Sequence, residues 1–382
     1  MPLPDYHGNN IVNLMASIET ALGGRSDYVP LAALDIEQLA AARTIVLLVI
    51  DGLGYNYLTD RGEQTYMAST ARAPLTTVFP ATTAAAVTTF LTASAPQQHA
   101  HTGWFTYFEE VQNVVAGLPC KVRGSGESIS SRELGTLFDA QPLFQRSNRS
   151  NFVLSPESIA FSTFNRQFSR GAEIVPYVNL REMFDYLAAI CQRKSRNYVY
   201  AYWPELDRLG HAYGMQSREA YRHLLDFDKA LAGFVRANNG NDTVLLATAD
   251  HGFVDSGPDH CIWLHDYPDL ALTLSQPLCG EPRAAYCYVH PQFRDDFTVE
   301  AGSALEGAMQ VVASTDLIDQ GYFGLGEAHP ALRHRIGDFA LLAQQAYSIK
   351  DSVEGERQYM QIGVHGGTSD AELYVPLVVT EM

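Results

Sequence analysis

The sequence predicts an α/β protein: a mostly parallel central sheet with helices on both faces, carrying an inserted cap or subdomain. Two observations predict it. Short apolar runs end at polar or glycine-containing turns, as strands buried on both faces do. Segments of helical character alternate with them, which favours a parallel sheet covered on each side. The runs are Thr44 to Ile50, Asn197 to Trp203, Thr243 to Thr248 and Leu373 to Thr380. Of the helical segments, Ala84 to Thr92 is rich in alanine and apolar residues. Arg218 to Ala237 repeats Tyr221, Leu224, Leu225, Phe227, Leu231 and Phe234 behind the capping residue Ser217.

Two stretches interrupt this alternation and read as insertions. Residues 104 to 192 contain the Gly/Ser-rich segment Arg123 to Ser131. Residues 255 to 361 carry strand-like RAAYCYVH and DFALLAQQAYSIK with a helical piece near Val299 to Val312. The expected organisation is a catalytic core of residues 1–254 and 362–382 with residues 255–361 as cap or subdomain. No internal repeat or low-complexity tract is visible.

Composition narrows the function. With 382 residues and 46% hydrophobic content, the chain is long enough to bury a sizeable core. Its 26 Lys plus Arg stand against 43 Asp plus Glu, a net charge of −17, which disfavours a broad grip on a nucleic-acid polymer or an anionic membrane. A small anionic substrate would need local cations, and divalent metal ions reverse the sign of a pocket in an acidic protein. Five cysteines without a CxxC pair predict neither a disulfide framework nor a cysteine metal site, so a reducing compartment is the simpler expectation. MPLPDYHGNNIVNLMASIET has no basic start followed by a long apolar stretch, and Ile45 to Ile50 is too short to cross a bilayer. The expectation is a soluble, cytoplasmic protein.

Five motifs carry candidate chemistry. Asp51 follows the first apolar run and precedes Gly52, and ligands of open α/β sheets gather beyond the carboxyl ends of strands. A turn or helix-capping aspartate has the same local signature. In TTVFPATTAAAVTTFLTAS, Thr82 and Thr83 precede an alanine-rich helix. A hydroxyl there sits among free amides at the positive end of the helix dipole, suited to attack on phosphate, although a plain N-cap looks alike. Asp207 and His211, in WPELDRLGH, are four apart and reach one metal if the segment is helical. Asp250 and His251 end the run LLATADHGF, where a bend aims both side chains at one ion. His365 lies beside Gly366 and Gly367 ahead of the last run. Each motif alone has a bland alternative; five in this order, each beside a strand end or a glycine, make a joint signal.

As an ordered set these residues resemble the alkaline phosphatase superfamily and, within it, the type I phosphodiesterase/nucleotide pyrophosphatase branch. The similarity spans about residues 44–104, 197–253 and 362–380. The resemblance implies two divalent ions, zinc with manganese as the alternative. One would be held by Asp207, His211 and His365, the other by Asp51, Asp250, His251 and the Thr83 hydroxyl. It implies that Thr83, three residues after Pro80, is the nucleophile, that Tyr202 lines the substrate pocket, and that hydrolysis of a small phosphorylated substrate proceeds through a phosphothreonine. In QHAHTGW this chain has Trp104 where the family commonly has a phosphoryl-binding asparagine, Ala84 replaces an aromatic residue after the nucleophile, and Leu206 replaces a proline. Thr102, Trp104 or a residue from an insertion is therefore the candidate substrate contact.

The expected activity is a phosphodiesterase, with phosphomonoesterase or phosphonate hydrolase as alternatives, followed by a phosphomutase or a non-catalytic binding module. A sulfatase needs a modifiable cysteine or serine where Thr83 stands. His99, His101, His260 and His265 are expected to be structural or solvated, and Arg123 an ordinary surface residue.

Overall fold

The computed structural model describes residues 2–356 and 359–382. Its central sheet has six strands: β1 (Thr44–Ile50), β2 (Ser150–Pro156), β3 (Glu173–Tyr177), β4 (Asn197–Trp203), β5 (Thr243–Thr248) and β6 (Val378–Glu381). They lie in the order β6-β5-β1-β4-β2-β3, parallel except for β6, which runs antiparallel to β5. β1, β4 and β5 are buried along their whole length, which is why they read as unbroken apolar runs rather than alternating ones.

Side-chain parity on β4 shows the two-sided covering. Tyr200 packs toward Phe90 of the Thr83–Thr92 helix (centroids 6.5 Å apart), while Trp203, pointing the opposite way, packs toward Phe227 of the Arg218–Ala237 helix at 6.1 Å. The second helix starts at the expected cap: the Ser217 side chain accepts from Ala220 N.

A second, antiparallel sheet has seven strands in the order Met309–Ala313, Phe339–Ala343, Ala284–Cys287, Cys279–Glu281, Phe105–Phe108, Asn113–Ala116 and Lys121–Val122. Both of its faces are covered. Ala284, Tyr286, Ala340 and Leu342 join one apolar cluster with Phe323 and Leu332; their neighbours Ala285, Cys287 and Leu341 join another with Phe297 and Leu305.

Two segments depart from the sequence expectation. Residues 104–192 are not a simple insertion, because they supply β2 and β3 to the central sheet and three strands to the second sheet. The run Leu373 to Thr380 is not one strand. Tyr374–Val375 pairs with Leu75–Thr76, and only Val378–Glu381 joins β5. Pro376 lies in the break, and with no N–H it cannot extend a central ladder. The helical piece expected near Val299 to Val312 is a helix at Arg294–Ala304 followed by a strand at Met309–Ala313.

A buried ion pair ties the second sheet to the His365 loop. Arg283, 1% exposed, meets Glu372 in two parallel bonds of 2.7 and 2.9 Å. The same carboxylate accepts from Gly367 N at 2.8 Å and Ser369 Oγ at 2.6 Å. Removing one member of such a pair strands the other without solvent. Arg283→Met is expected to cost about 3–5 kcal/mol of stability, measured by urea unfolding, and to speed amide exchange around residues 365–369.

Candidate active site

Parallel strands carry their carboxyl ends to one edge of the sheet, and there the chain turns into loops that need not alternate. Asp51 follows β1 directly. Asp207 lies in the first turn of the Glu205–Tyr213 helix that leaves β4, and Asp250 and His251 follow β5. One turn along that helix from Asp207, His211 brings Nε2 to 3.4 Å from Asp207 Oδ1. His365 enters from the loop before the last strands. The tight turns need glycine: Gly52 has φ +78°, and a Cβ on Gly252 would lie 2.0 Å from the Ala371 carbonyl oxygen.

All seven residues singled out as metal ligands meet there. His251 Nε2 lies 3.4 Å from Asp51 Oδ1, 3.5 Å from Asp250 Oδ2, 4.0 Å from Asp207 Oδ1 and 3.1 Å from Thr83 Oγ1. His365 Nε2 is 3.9 Å from Asp207 Oδ1, and its ring stacks on that of His251 at 3.7 Å. Two ligand groups emerge within metal-sharing distance, Asp51 with Asp250 and His251, and Asp207 with His251 and His365. His251 thus sits between both groups, and His211 joins the second through Asp207.

The donor chemistry fits divalent ions. Each imidazole turns Nδ1 to a backbone carbonyl: His211 to Gly363 at 2.8 Å, His251 to Gly252 at 3.1 Å and His365 to Ala81 at 3.1 Å. At His251 and His365 that anchoring favours the Nδ1–H tautomer and leaves Nε2 to face inward, as in metal-ligating histidines, while His211 Nδ1 is also approached by Gln361 Nε2 at 3.0 Å. Asp51 Oδ1, Asp207 Oδ1 and Asp250 Oδ2 are buried without a hydrogen-bond partner. Three orphaned carboxylate oxygens facing imidazole nitrogens are costly without cations between them. Burial, reinforced by Asp207 and Asp250, pushes the Asp51 carboxyl well above the usual aspartate range, and burial also raises Asp207 against the pull of His211 and His251. Burial drives His365 well below the usual histidine range, aided by the neighbouring imidazoles, and so keeps it in the neutral, ligating form.

The Thr83 hydroxyl stands at the first position of the Thr83–Thr92 helix and opens onto a cavity of about 480 Å³. Trp104, 41% exposed, Phe105 and Trp263 line it together with Asp207, His211 and His365. Tyr202 does not line this cavity; its hydroxyl donates to Asp51 Oδ2.

The cavity wall also holds residues without a recognisable motif. Glu281 accepts from Thr82 Oγ1 at 2.5 Å and from Trp104 N at 2.6 Å, and burial pushes its carboxyl up to about 7. Lys350 donates to Gln361 Oε1 at 2.6 Å. Arg123 is no surface residue: its side chain is 4% exposed, pairs with Asp351 at 2.7 Å and Glu356 at 2.9 Å, and lies over Phe105. Its donors are taken up internally, which leaves Lys350 as the cavity-lining cation without a carboxylate partner among the described residues. His99 and His101 are buried against Thr89 and Thr88 and stand outside both ligand groups. His260 and His265 also stand outside them.

The fold is α/β with a mostly parallel central sheet, and the family it carries makes the chain a phosphoric ester hydrolase. The chain belongs to the type I phosphodiesterase / nucleotide pyrophosphatase family, whose model matches residues 45–368. Murine ectonucleotide pyrophosphatase / phosphodiesterase 5 superposes with a TM-score of 0.64 at 17% identity, with 87% of each chain covered. An inactive threonine-to-alanine form of that murine protein, in complex with AMP, superposes at 0.65 with 16% identity and the same coverage. Phosphonoacetate hydrolase from Sinorhizobium meliloti 1021 in complex with phosphonoformate superposes at 0.62 with 15% identity, over 89% of this chain and 90% of that one. At these identities the likeness establishes the fold. A comparison with curated protein sequences gives no match. No helix among the described residues is long and apolar enough to cross a membrane.

Proposed function

We propose that the protein is a two-metal phosphodiesterase that works through a phosphothreonine at Thr83. The observation that carries this reading is the convergence of orphaned carboxylate oxygens and inward imidazole nitrogens on one threonine hydroxyl. Asp207, His211 and His365 would hold one divalent ion; Asp51, Asp250, His251 and Thr83 Oγ1 would hold the other, with zinc the preferred metal and manganese the alternative. Such ions neutralise the acidic cluster, lower the hydroxyl pKa and offset charge on the phosphoryl oxygens.

The chain's own residues do the rest. Thr83 Oγ1 forms a bond to phosphorus as the ester P–O bond opposite breaks; the leaving oxygen takes that bond's electron pair and the proton shed by Thr83, and departs as the alcohol. Water then attacks the phosphorus and leaves its OH there, the P–Oγ1 bond breaks, and the water's other proton returns to Thr83 Oγ1. The helix behind Thr83 turns its positive end to the incoming anion. Trp104, Phe105 and Trp263 give the cavity aromatic walls against which an organic leaving group can pack, which favours a diester over a compact monoester. The inactive threonine-to-alanine form of the murine protein supports an essential threonine. Five free cysteines, four of them buried, support a reducing cytoplasmic compartment.

The test pairs elemental analysis of purified protein with turnover of bis-p-nitrophenyl phosphate, p-nitrophenyl phosphate and phosphonoacetate. Close to two equivalents of metal and faster diester turnover are expected. Metal-independent turnover, or a marked preference for the monoester or the phosphonate, would contradict the reading.

A further inference from the structure

Thr82 has the residue type and the extended backbone (φ −144°, ψ 150°) of a helix N-cap, yet its side chain caps nothing. Elsewhere in the chain the same residue type in the same position does cap: Thr65 Oγ1 accepts from Ala68 N at 3.1 Å. At Thr82 the hydroxyl instead donates to Glu281 Oε1 at 2.5 Å, and that oxygen also takes the Trp104 amide at 2.6 Å. The first bond of the helix runs from Ala86 N to Thr82 O, so the amides of Thr83, Ala84 and Ala85 precede the ladder.

Glu281 reaches this place through unusually close packing. A Cβ on Gly103 would lie 2.6 Å from Gly280 Cα, and one on Gly366 would lie 2.4 Å from Glu281 Cβ. Gly103, beside Trp104, admits the backbone just before Glu281, and Gly366, beside His365, leaves room for the Glu281 side chain itself. The Glu281 carboxylate belongs to the second sheet, while the helix it meets packs on the first.

We infer that Glu281 is a positioning residue that withholds the Thr82 cap and so keeps the amides at the start of the Thr83–Thr92 helix free for the phosphoryl oxygens. The inference rests on the phosphoryl-transfer reading above. An N-cap hydroxyl and a bound oxyanion compete for the same N–H groups. Drawing the Thr82 hydroxyl onto Glu281 settles that competition for the oxyanion and ties Trp104 to the nucleophile loop.

The consequence is an unusual pattern among variants. In Glu281→Ala the Thr82 hydroxyl is released to cap Ala84 or Ala85. Turnover of the diester is expected to fall about 10- to 100-fold, somewhat less than the loss of an oxyanion-hole donor, and inhibition by inorganic phosphate to weaken about tenfold, with metal content retained. Glu281→Gln keeps an acceptor oxygen and is expected to restore most of the activity. Adding Thr82→Val to Glu281→Ala removes the competing hydroxyl and is expected to recover most of the lost turnover. A double variant no better than Glu281→Ala overturns the inference, because simple damage to packing would not be repaired by a second loss.

Amide exchange at Ala84 and Ala85 reads the same event without catalysis. It is expected to slow in Glu281→Ala and to return in the double variant; unchanged exchange also overturns the inference. If exchange follows this pattern but the wild-type protein hydrolyses no phosphodiester, the cap competition stands and the hydrolase reading falls.

Discussion

Thr83→Ala is expected to lower diester turnover by roughly 10⁴-fold or more while leaving the metal content and the fold intact. The hydroxyl is the one reacting group that this substitution removes; the six carboxylate and imidazole side chains around it remain. Alanine is the best helix former, so the helix that starts here should not suffer. Thr83→Ser keeps the oxygen and is expected to retain substantial activity. Acid quenching during turnover should leave the wild-type Thr83 peptide heavier by the transferred phosphoryl or phosphoryl-ester group, and the alanine variant unchanged. If water attacked the substrate directly, the alanine variant would keep most of its rate and no adduct would form.

Removal of divalent ions is expected to cost the protein its activity and much of its stability, with a pH dependence that identifies the site. Asp51 and Asp207 both have carboxyls raised above the ordinary range, chiefly by burial. A raised aspartate adds stability that is complete below its unfolded value of about 4 and is lost as pH rises through the folded value. The stripped protein should therefore lose stability on going from acidic to mildly alkaline pH. Bound cations favour the ionised carboxylates, so metal affinity rises over the same range. With free ion about a hundredfold above Kd, each site contributes about 2.7 kcal/mol. Two sites give roughly 5 kcal/mol, a rise in Tm on the order of 10 °C. The gap in Tm between loaded and stripped protein should widen from pH 5 to pH 8 in calorimetry. A gap independent of pH would mean that these carboxylates are not the ligands.

The legibility of the site follows from its placement. Asp51, Asp207, Asp250 and His251 stand just past buried strands, and an apolar run that stops at an acid and a glycine is a local pattern. His365 has only its glycines to mark it, and it became readable as the last member of an ordered set. Tyr202 shows the limit of such reading, since its hydroxyl turns to Asp51 and not to the cavity. Pro376 was visible within the last apolar run, yet where the two halves pair depends on which neighbouring strand lies within reach.

By itself the sequence determined the class of fold, the parallel strand ends that bear acids and imidazoles, and the threonine at a helix start, because burial on two faces and tight turns are written in neighbouring residues. Only the tertiary structure decided which residues between 255 and 361 reach the start of the Thr83–Thr92 helix. Thr82 and Glu281 lie 199 positions apart, and the CGEPR segment around Glu281 carries no motif. Their hydrogen bond exists because the strand that carries Glu281 lies close against Gly103 of its own sheet and against the Gly366 loop, a long-range condition of shape that local periodicity does not encode. The same holds for Arg123, whose partners Asp351 and Glu356 come from 228 and 233 positions away and turn an expected surface cation into a neutralised wall of the cavity.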